Sequence, residues 1–211
     1  MLDHTFHDEF LRDFEANPNP PGDGYLDQWK WYDRYLLDEA DELAREISNS
    51  IRTSSSHATS IAELHYSERL SDFGHYVRVL TRGEIDIPLN FSLLATIQRF
   101  GANGKEIKRV VDRYINALPE GACPNFVVSN HDQTTRLVDM VGTENVRAIM
   151  MAHLCLGNQY GSNIFLYNGD EIGMEKGDII DQSNTYDPIG RFQGVTLSRD
   201  HVRTGFAWNA H

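Results

Sequence analysis

Short apolar runs that end in polar residues alternate with stretches of helical period, and this alternation constrains the chain most. From Tyr32, the residues Leu36, Ala40, Leu43 and Ile47 follow at spacings of three and four. They predict an amphipathic helix with Asp27 as N-cap, ended by the Ser/Thr-rich run from Ser48 to Ser56. The run Ala58 to Leu64 reads as a short strand, and Glu84 to Phe91 alternates with Ile85, Ile87, Leu89 and Phe91 on one parity. Helical period returns from Lys105 to Leu118 and again from Glu144 to Leu156. Between them Asn125-Phe126-Val127-Val128 reads as a strand, and Ile164-Phe165-Leu166-Tyr167 reads as another, stopped by Asn168-Gly169-Asp170-Glu171. Strands separated by helices pair in parallel through right-handed crossovers, so the expected class is α/β. Four strands with polar residues just beyond their ends are half of an eight-stranded β/α barrel, whose chemistry sits at the C-terminal strand ends.

Composition narrows the partners. The 211 residues suffice for one ordinary domain with a sizeable core. A balance of 31 acidic against 19 basic side chains repels phosphate backbones and anionic lipid, so no nucleic-acid partner is expected and neutral substrates remain open. No run approaches the roughly 20 consecutive apolar residues that span a bilayer. Met1 to Phe14, rich in Asp, Glu and His, lacks the basic-then-apolar order of a signal peptide. Cys123 and Cys155 give neither a disulfide framework nor a zinc spacing and are expected as buried thiols. No metal and no cofactor is expected.

Three carboxylates follow strand-like runs: Glu63 after Ile61-Ala62, Asp132 beyond Val128, and Glu171 beyond Tyr167. A strand end projects a side chain into shared central space, whereas a Glu on a helix face points to water. On spacing alone, each is also compatible with a cap or a solvated turn.

Four segments in order carry a family resemblance. Phe126-Val127-Val128-Ser129-Asn130-His131-Asp132-Gln133 resembles the seventh-strand motif of the α-amylase superfamily, glycoside hydrolase family 13, an apolar strand ending in Asn-His-Asp. Ile164 to Met174 is similar to its eighth-strand segment, with Asp170 where the family has the first Glu of a pair. Arg199-Asp200-His201-Val202-Arg203-Thr204-Gly205-Phe206-Ala207-Trp208 resembles the Arg-Asp-x-x-Arg-Thr-Pro-Met-Gln-Trp segment of the α-glucosidase branch, with Gly205 for Pro and Ala207 for Gln. Ile85 to Phe91 looks like the branch's sixth-strand region. The nearest groups by these motifs are maltase-like α-glucosidases and the heavy chains of amino-acid transporters.

The resemblance implies a partial (β/α)8 TIM barrel, with residues 1–211 as strands five to eight and their helices, lacking strands one to four and the C-terminal β-sandwich. It implies Glu63 as general acid and Asp132 as transition-state stabiliser. It implies His131, Arg199, Asp200 and Arg203 as substrate-binding residues around an α-linked glucoside or oligosaccharide. The family's nucleophilic Asp would lie before Met1, since Leu11-Arg12-Asp13 resembles a stretch about a dozen residues beyond that Asp in maltase-like proteins; Asp3 and Asp8 read instead as loop residues. A fragment with open sheet edges and no glucosidase activity of its own is therefore expected. The alternative is a non-catalytic heavy-chain ectodomain with a transporter light chain as partner. Either way the full-length protein would be extracellular or a membrane-anchored ectodomain.

Overall fold

The computed structural model describes residues 37–63, 77, 81–83, 85–178, 181–206 and 208. The expected Asp27 cap and the residues Asp3, Asp8 and Leu11 to Asp13 lie outside these. The described residues fall into two compact units, divided between Leu89 and Asn90.

The first unit holds helix α1 (Leu37–Ser54) and two short strands, β1 (Ile61–Ala62) and β2 (Ile87–Pro88). The strands pair in parallel, with Ile61 opposite Ile87 and Ala62 opposite Pro88. The alternation from Glu84 to Phe91 predicts a longer strand than the two residues that pair, which the N–H groups of Ile87 and Leu89 hold by donating to the carbonyls of Ser60 (3.0 Å) and Ala62 (2.8 Å). Ala62 and Ile85 form a small core against Ala44 of α1. A polar hub fixes the pair from the other side. The Ser60 hydroxyl donates to Asp86 Oδ2 (2.7 Å) while accepting from the Ser48 hydroxyl (3.0 Å) and the Asp86 N–H (3.0 Å). Arg52 donates to Asp86 Oδ1 (2.6 Å) and to the Gly83 carbonyl (3.1 Å). Burial pushes the Asp86 carboxyl up, but the Ser60 hydrogen bonds and the Arg52 cation outweigh it and leave it below the usual range.

The second unit contains helices α2 (Ser92–Phe100) and α3 (Gly104–Ala117), strand β3 (Asn125–Val127), helices α4 (Leu137–Val141) and α5 (Val146–Tyr160), strand β4 (Asn163–Phe165) and helix α6 (Pro188–Gln193). Strands β3 and β4 are parallel, with Phe126 opposite Ile164, so β3, α5 and β4 form the expected β-α-β unit. Leu93, Leu94 and Ile97 of α2 are buried. So are Val111 and Tyr114 of α3, and the Tyr114 ring meets Phe126 edge-on at 5.4 Å. The Tyr114 hydroxyl accepts from the Asn125 N–H (3.1 Å), and Asn125 Oδ1 accepts from the Asn90 N–H (2.8 Å). Both asparagines are buried, so this clamp satisfies polar groups that would otherwise cost stability. Helix α3 starts at Asn103, whose side chain accepts from the N–H groups of Lys105 and Glu106.

Two expectations need correction. Both cysteines are exposed rather than buried. Helix α5 buries Val146, Ile149 and His153, and Cys155, two residues past His153, comes about 200° round the helix. Cys123 lies in the turn before β3. Helix α5 also runs beyond Leu156, through Gly157, to Gly161, whose φ of +60° ends it.

Gly157 is required by close approach: a Cβ there would lie 2.6 Å from Ile164 Cγ1 of β4. Gly157→Ala should therefore lower stability by about 1–3 kcal/mol in urea titrations, although alanine favours helix. Pairing it with Ile164→Ala should cost less than the sum of the two single changes; strict additivity would mean no such contact. His153 is buried, its Nε2 donates to the Phe126 carbonyl (3.1 Å), and burial pulls its pKa below the ordinary value. The unfolded chain then takes up this proton first, so stability should fall as pH drops below about 6.5. His153→Gln, which keeps a donor but cannot titrate, should flatten that part of the pH–stability curve.

Candidate active site

The candidate residues Glu63 and Asp132 stand just beyond strand ends. Glu63 directly follows β1 in the first unit and is half-buried. The others belong to the second unit. Beyond β3 the chain stays buried through Val128 and Ser129, then turns: Asn130 Oδ1 accepts from the Asp132 N–H (3.2 Å). That side-chain turn lifts the half-buried Asp132 off the strand end.

Two arginines converge on it. Asp132 Oδ1 accepts from Arg199 Nη1 (3.0 Å) and from Arg203 Nη2 (2.7 Å). The other oxygen, Oδ2, is 3.5 Å from His131 Nε2. Arg203 Nε also donates to the His131 carbonyl (3.0 Å), so one guanidinium reads both the carboxylate and the backbone of the Asn-His-Asp turn. Asp132, His131, Arg199 and Arg203 are thus in direct contact. Asp200 faces differently: its Oδ2 accepts from the N–H groups of Tyr186 (2.6 Å) and Asp187 (2.8 Å), tying the 3-10 turn Arg199–His201 to the start of α6.

Three neighbours are absent from the expected set of site residues. The first is Arg136, at the N-terminus of α4 and 1% exposed. Its Nη1 donates to the Asn168 carbonyl (2.8 Å), and its Nη2 donates to the Val202 carbonyl (2.8 Å) and Thr204 Oγ1 (3.3 Å). Its guanidinium carbon lies 4.9 Å from the centre of the Tyr167 ring, whose hydroxyl also donates to Val202 O (2.8 Å). Gly169, at φ +100°, gives this group room, since a Cβ would come within 3.0 Å of Arg136 Nη1. The second is Asp187, the N-cap of α6, whose carboxylate grips Arg199 through Nη2 (2.7 Å) and Nε (3.1 and 3.2 Å). These hydrogen bonds, led by the guanidinium, outweigh burial and hold its pKa at about 2. The Asp187-Pro188 step, a capping residue before a proline at the first helical position, is the signal that could have found it. The third is Asp170, buried and bonded by the Ser129 hydroxyl. Burial drives its pKa up, and the Ser129 hydrogen bond and the Arg136 charge offset this only in part. The carboxylate singled out nearby, Glu171, is exposed and accepts from the Gly169 N–H (2.9 Å).

Replacing Arg136 by Met would strip donors from two carbonyls and a cation from beside Asp170. The expected cost is about 3–5 kcal/mol in urea unfolding. Arg136→Lys should recover only part, because an ammonium cannot reproduce the planar fork. A Met variant as stable as the parent would remove Arg136 as the brace of these loops.

Residues 37–211 match the family model for the alpha amylase catalytic domain. The chain is 37% identical over 128 residues to the alpha-glucosidase of Apis mellifera, covering 59% of this chain and 21% of that one. It is 30% identical over 129 residues to Maltase A1 of Drosophila melanogaster, again covering 59% of this chain and 21% of the relative. The chain therefore spans about a fifth of the length of these curated relatives. The crystal structure of the alpha-glucosyl transfer enzyme XgtA superposes with a TM-score of 0.60 at 26% identity, over 82% of this chain and 30% of that one. The structural neighbours of this chain are TIM-barrel enzymes, and the chain has the mixed α/β make-up of part of a (β/α)8 barrel, with no closed barrel among the described residues. With strand ends, arginine pair and family match in agreement, the chain belongs to the alpha-amylase catalytic-domain family.

Proposed function

We propose that these residues form part of the sugar-cleaving site of a retaining glycoside hydrolase that acts on α-glucosidic bonds. The observation that carries the reading is the meeting of Arg199 and Arg203 on one oxygen of Asp132, across 67 and 71 residues of chain. A carboxylate fixed at a strand end in this way is pre-oriented before substrate arrives and needs little reorganisation as charge develops. Kinship with alpha-glucosidase and maltase sequences supports the linkage type.

In this reading residues 1–211 supply strands five to eight of the barrel, numbered β1 to β4 above. Asp132 stabilises the oxocarbenium-like transition state through its charge, and His131 hydrogen-bonds a hydroxyl of the same sugar. Glu63 protonates the leaving oxygen, and Arg199, Asp200 and Arg203 frame the rim that receives an α-linked glucoside or oligosaccharide.

The test is glucose release from maltose and from p-nitrophenyl α-glucoside by the full-length protein. Asp132→Asn should lower kcat by on the order of a hundredfold or more. Near-unchanged kinetics would refute the role of Asp132, and no turnover by the parent protein on any α-glucoside would remove the activity itself. Residues 1–211 alone should release no glucose, because none of them matches the family's nucleophile and the two-step route requires one.

A further inference from the structure

We propose that Asp187 is a positioning residue for Asp132, holding Arg199 by one edge so that this arginine orients the Asp132 carboxylate without quenching it. The proposal rests on the function proposed above and adds a residue that the sequence motifs do not contain.

The geometry is specific. The Asp187 side chain is fully buried, and both of its oxygens are occupied by Arg199. Oδ1 accepts from Nη2 (2.7 Å) and Nε (3.2 Å), and Oδ2 accepts from Nε (3.1 Å) and from the Arg199 backbone N–H (2.8 Å). This side-on grip takes the Nε–Nη2 edge of the guanidinium. Asp132 receives Nη1 of Arg199, at 3.0 Å, on the same oxygen that Arg203 already holds at 2.7 Å.

Charge explains why the grip matters. A carboxylate facing two uncompensated guanidiniums sits in a net positive field, which would repel a developing sugar cation. Asp187 puts a second negative charge in direct contact with the arginine pair, and Asp200, which accepts from the Asp187 N–H, adds a third beside it. The Asp187 pKa of about 2 means that its charge persists throughout the working pH range. Released from Asp187, Arg199 could turn a bidentate fork onto Asp132, the arrangement guanidinium and carboxylate prefer. Asp187 also accepts from the Ile189 N–H at 3.4 Å and so caps α6, a purely architectural duty that the experiment must separate.

The experiment compares Asp187→Asn, Arg199→Gln and the double variant in the full-length protein. Asn keeps the size and the cap but removes the charge. Asp187→Asn should lower kcat on p-nitrophenyl α-glucoside about tenfold or more while KM moves less than about twofold. It should weaken 1-deoxynojirimycin, a cationic iminosugar, by a similar factor and leave inhibition by neutral glucose unchanged. In the Arg199→Gln background the same change should do nearly nothing, because no arginine is left to swing. Equal losses in both backgrounds, or equal weakening of glucose and the iminosugar, would overturn the proposal in favour of a cap alone. The grip has a readout independent of sugar chemistry. The Arg199 Nε–H NMR signal in the arginine-labelled full-length protein should be protected in the parent and lost in Asp187→Asn. Loss of turnover in the parent with this NMR pattern intact would strike the proposed function. An unprotected Arg199 signal in the parent would strike the positioning role.

Discussion

A guanidinium cannot shed its proton inside a protein, so burying Arg136 obliges the surrounding chain to supply acceptors. It does so from three places: the carbonyl of Asn168 after β4, the carbonyl of Val202 and hydroxyl of Thr204 in the closing segment, and the face of Tyr167. None of these segments has regular structure of its own at the point of contact. What fixes them is the cost of leaving a buried cation and the buried Val202 carbonyl unpaired, which is several kcal/mol. The brace is therefore cooperative: removing any one acceptor leaves the cation short.

That brace sets the site. Val202 lies between Arg199 and Arg203, and its carbonyl is held by both Arg136 and the Tyr167 hydroxyl. The two flanking arginines start from one fixed backbone point, one turn apart. Asp132 lies four residues before Arg136 on the turn that leaves β3, so the carboxylate and its two cations are anchored through the same buried group. A strand end places Asp132, but the neighbouring loops decide what meets it. This is how a loop-built site gains rigidity from a buried ion rather than from sheet or helix.

Much of this arrangement was legible in the sequence, and the unread part has physical reasons. The strands were visible because buried parallel strands are short apolar runs, and α3 was visible because its polar and apolar faces differ. Helix α2 was not seen: its buried set includes Ser92 and Thr96, and Thr96 satisfies its hydroxyl by donating to the Ser92 carbonyl (2.8 Å), which hides the apolar stripe. Asn-His-Asp and the Arg-Asp-x-x-Arg segment pointed to Asp132, Arg199 and Arg203, because their types and spacing are distinctive. Arg136 and Asp187 carry no such mark. An Arg after two threonines reads as a solvated helix start, and only tertiary burial makes it a cation bound by carbonyls. The choice between Asp170 and Glu171 is likewise tertiary, since adjacent carboxylates differ by which one the turn directs inward.

The two buried carboxylates of the second unit show how placement of donors decides charge. Asp170 has one oxygen bonded by Ser129, while Oδ1 has no hydrogen-bond partner among the described residues, and its pKa is raised. Asp187 is equally enclosed, yet a guanidinium edge and backbone N–H groups fill both of its oxygens, and its pKa falls to about 2. Burial alone would push both the same way; the donors reverse the sign for one of them. Burial thus holds the Asp170 carboxyl above its ordinary value next to the Arg136 brace, which offsets that burial only in part. Asp187 stays ionised beside Arg199. The side chains that bond Asp132 and the carboxylate that grips one of them all come from the 187–203 segment, so electrostatic control of Asp132 resides there more than in the strand that carries it.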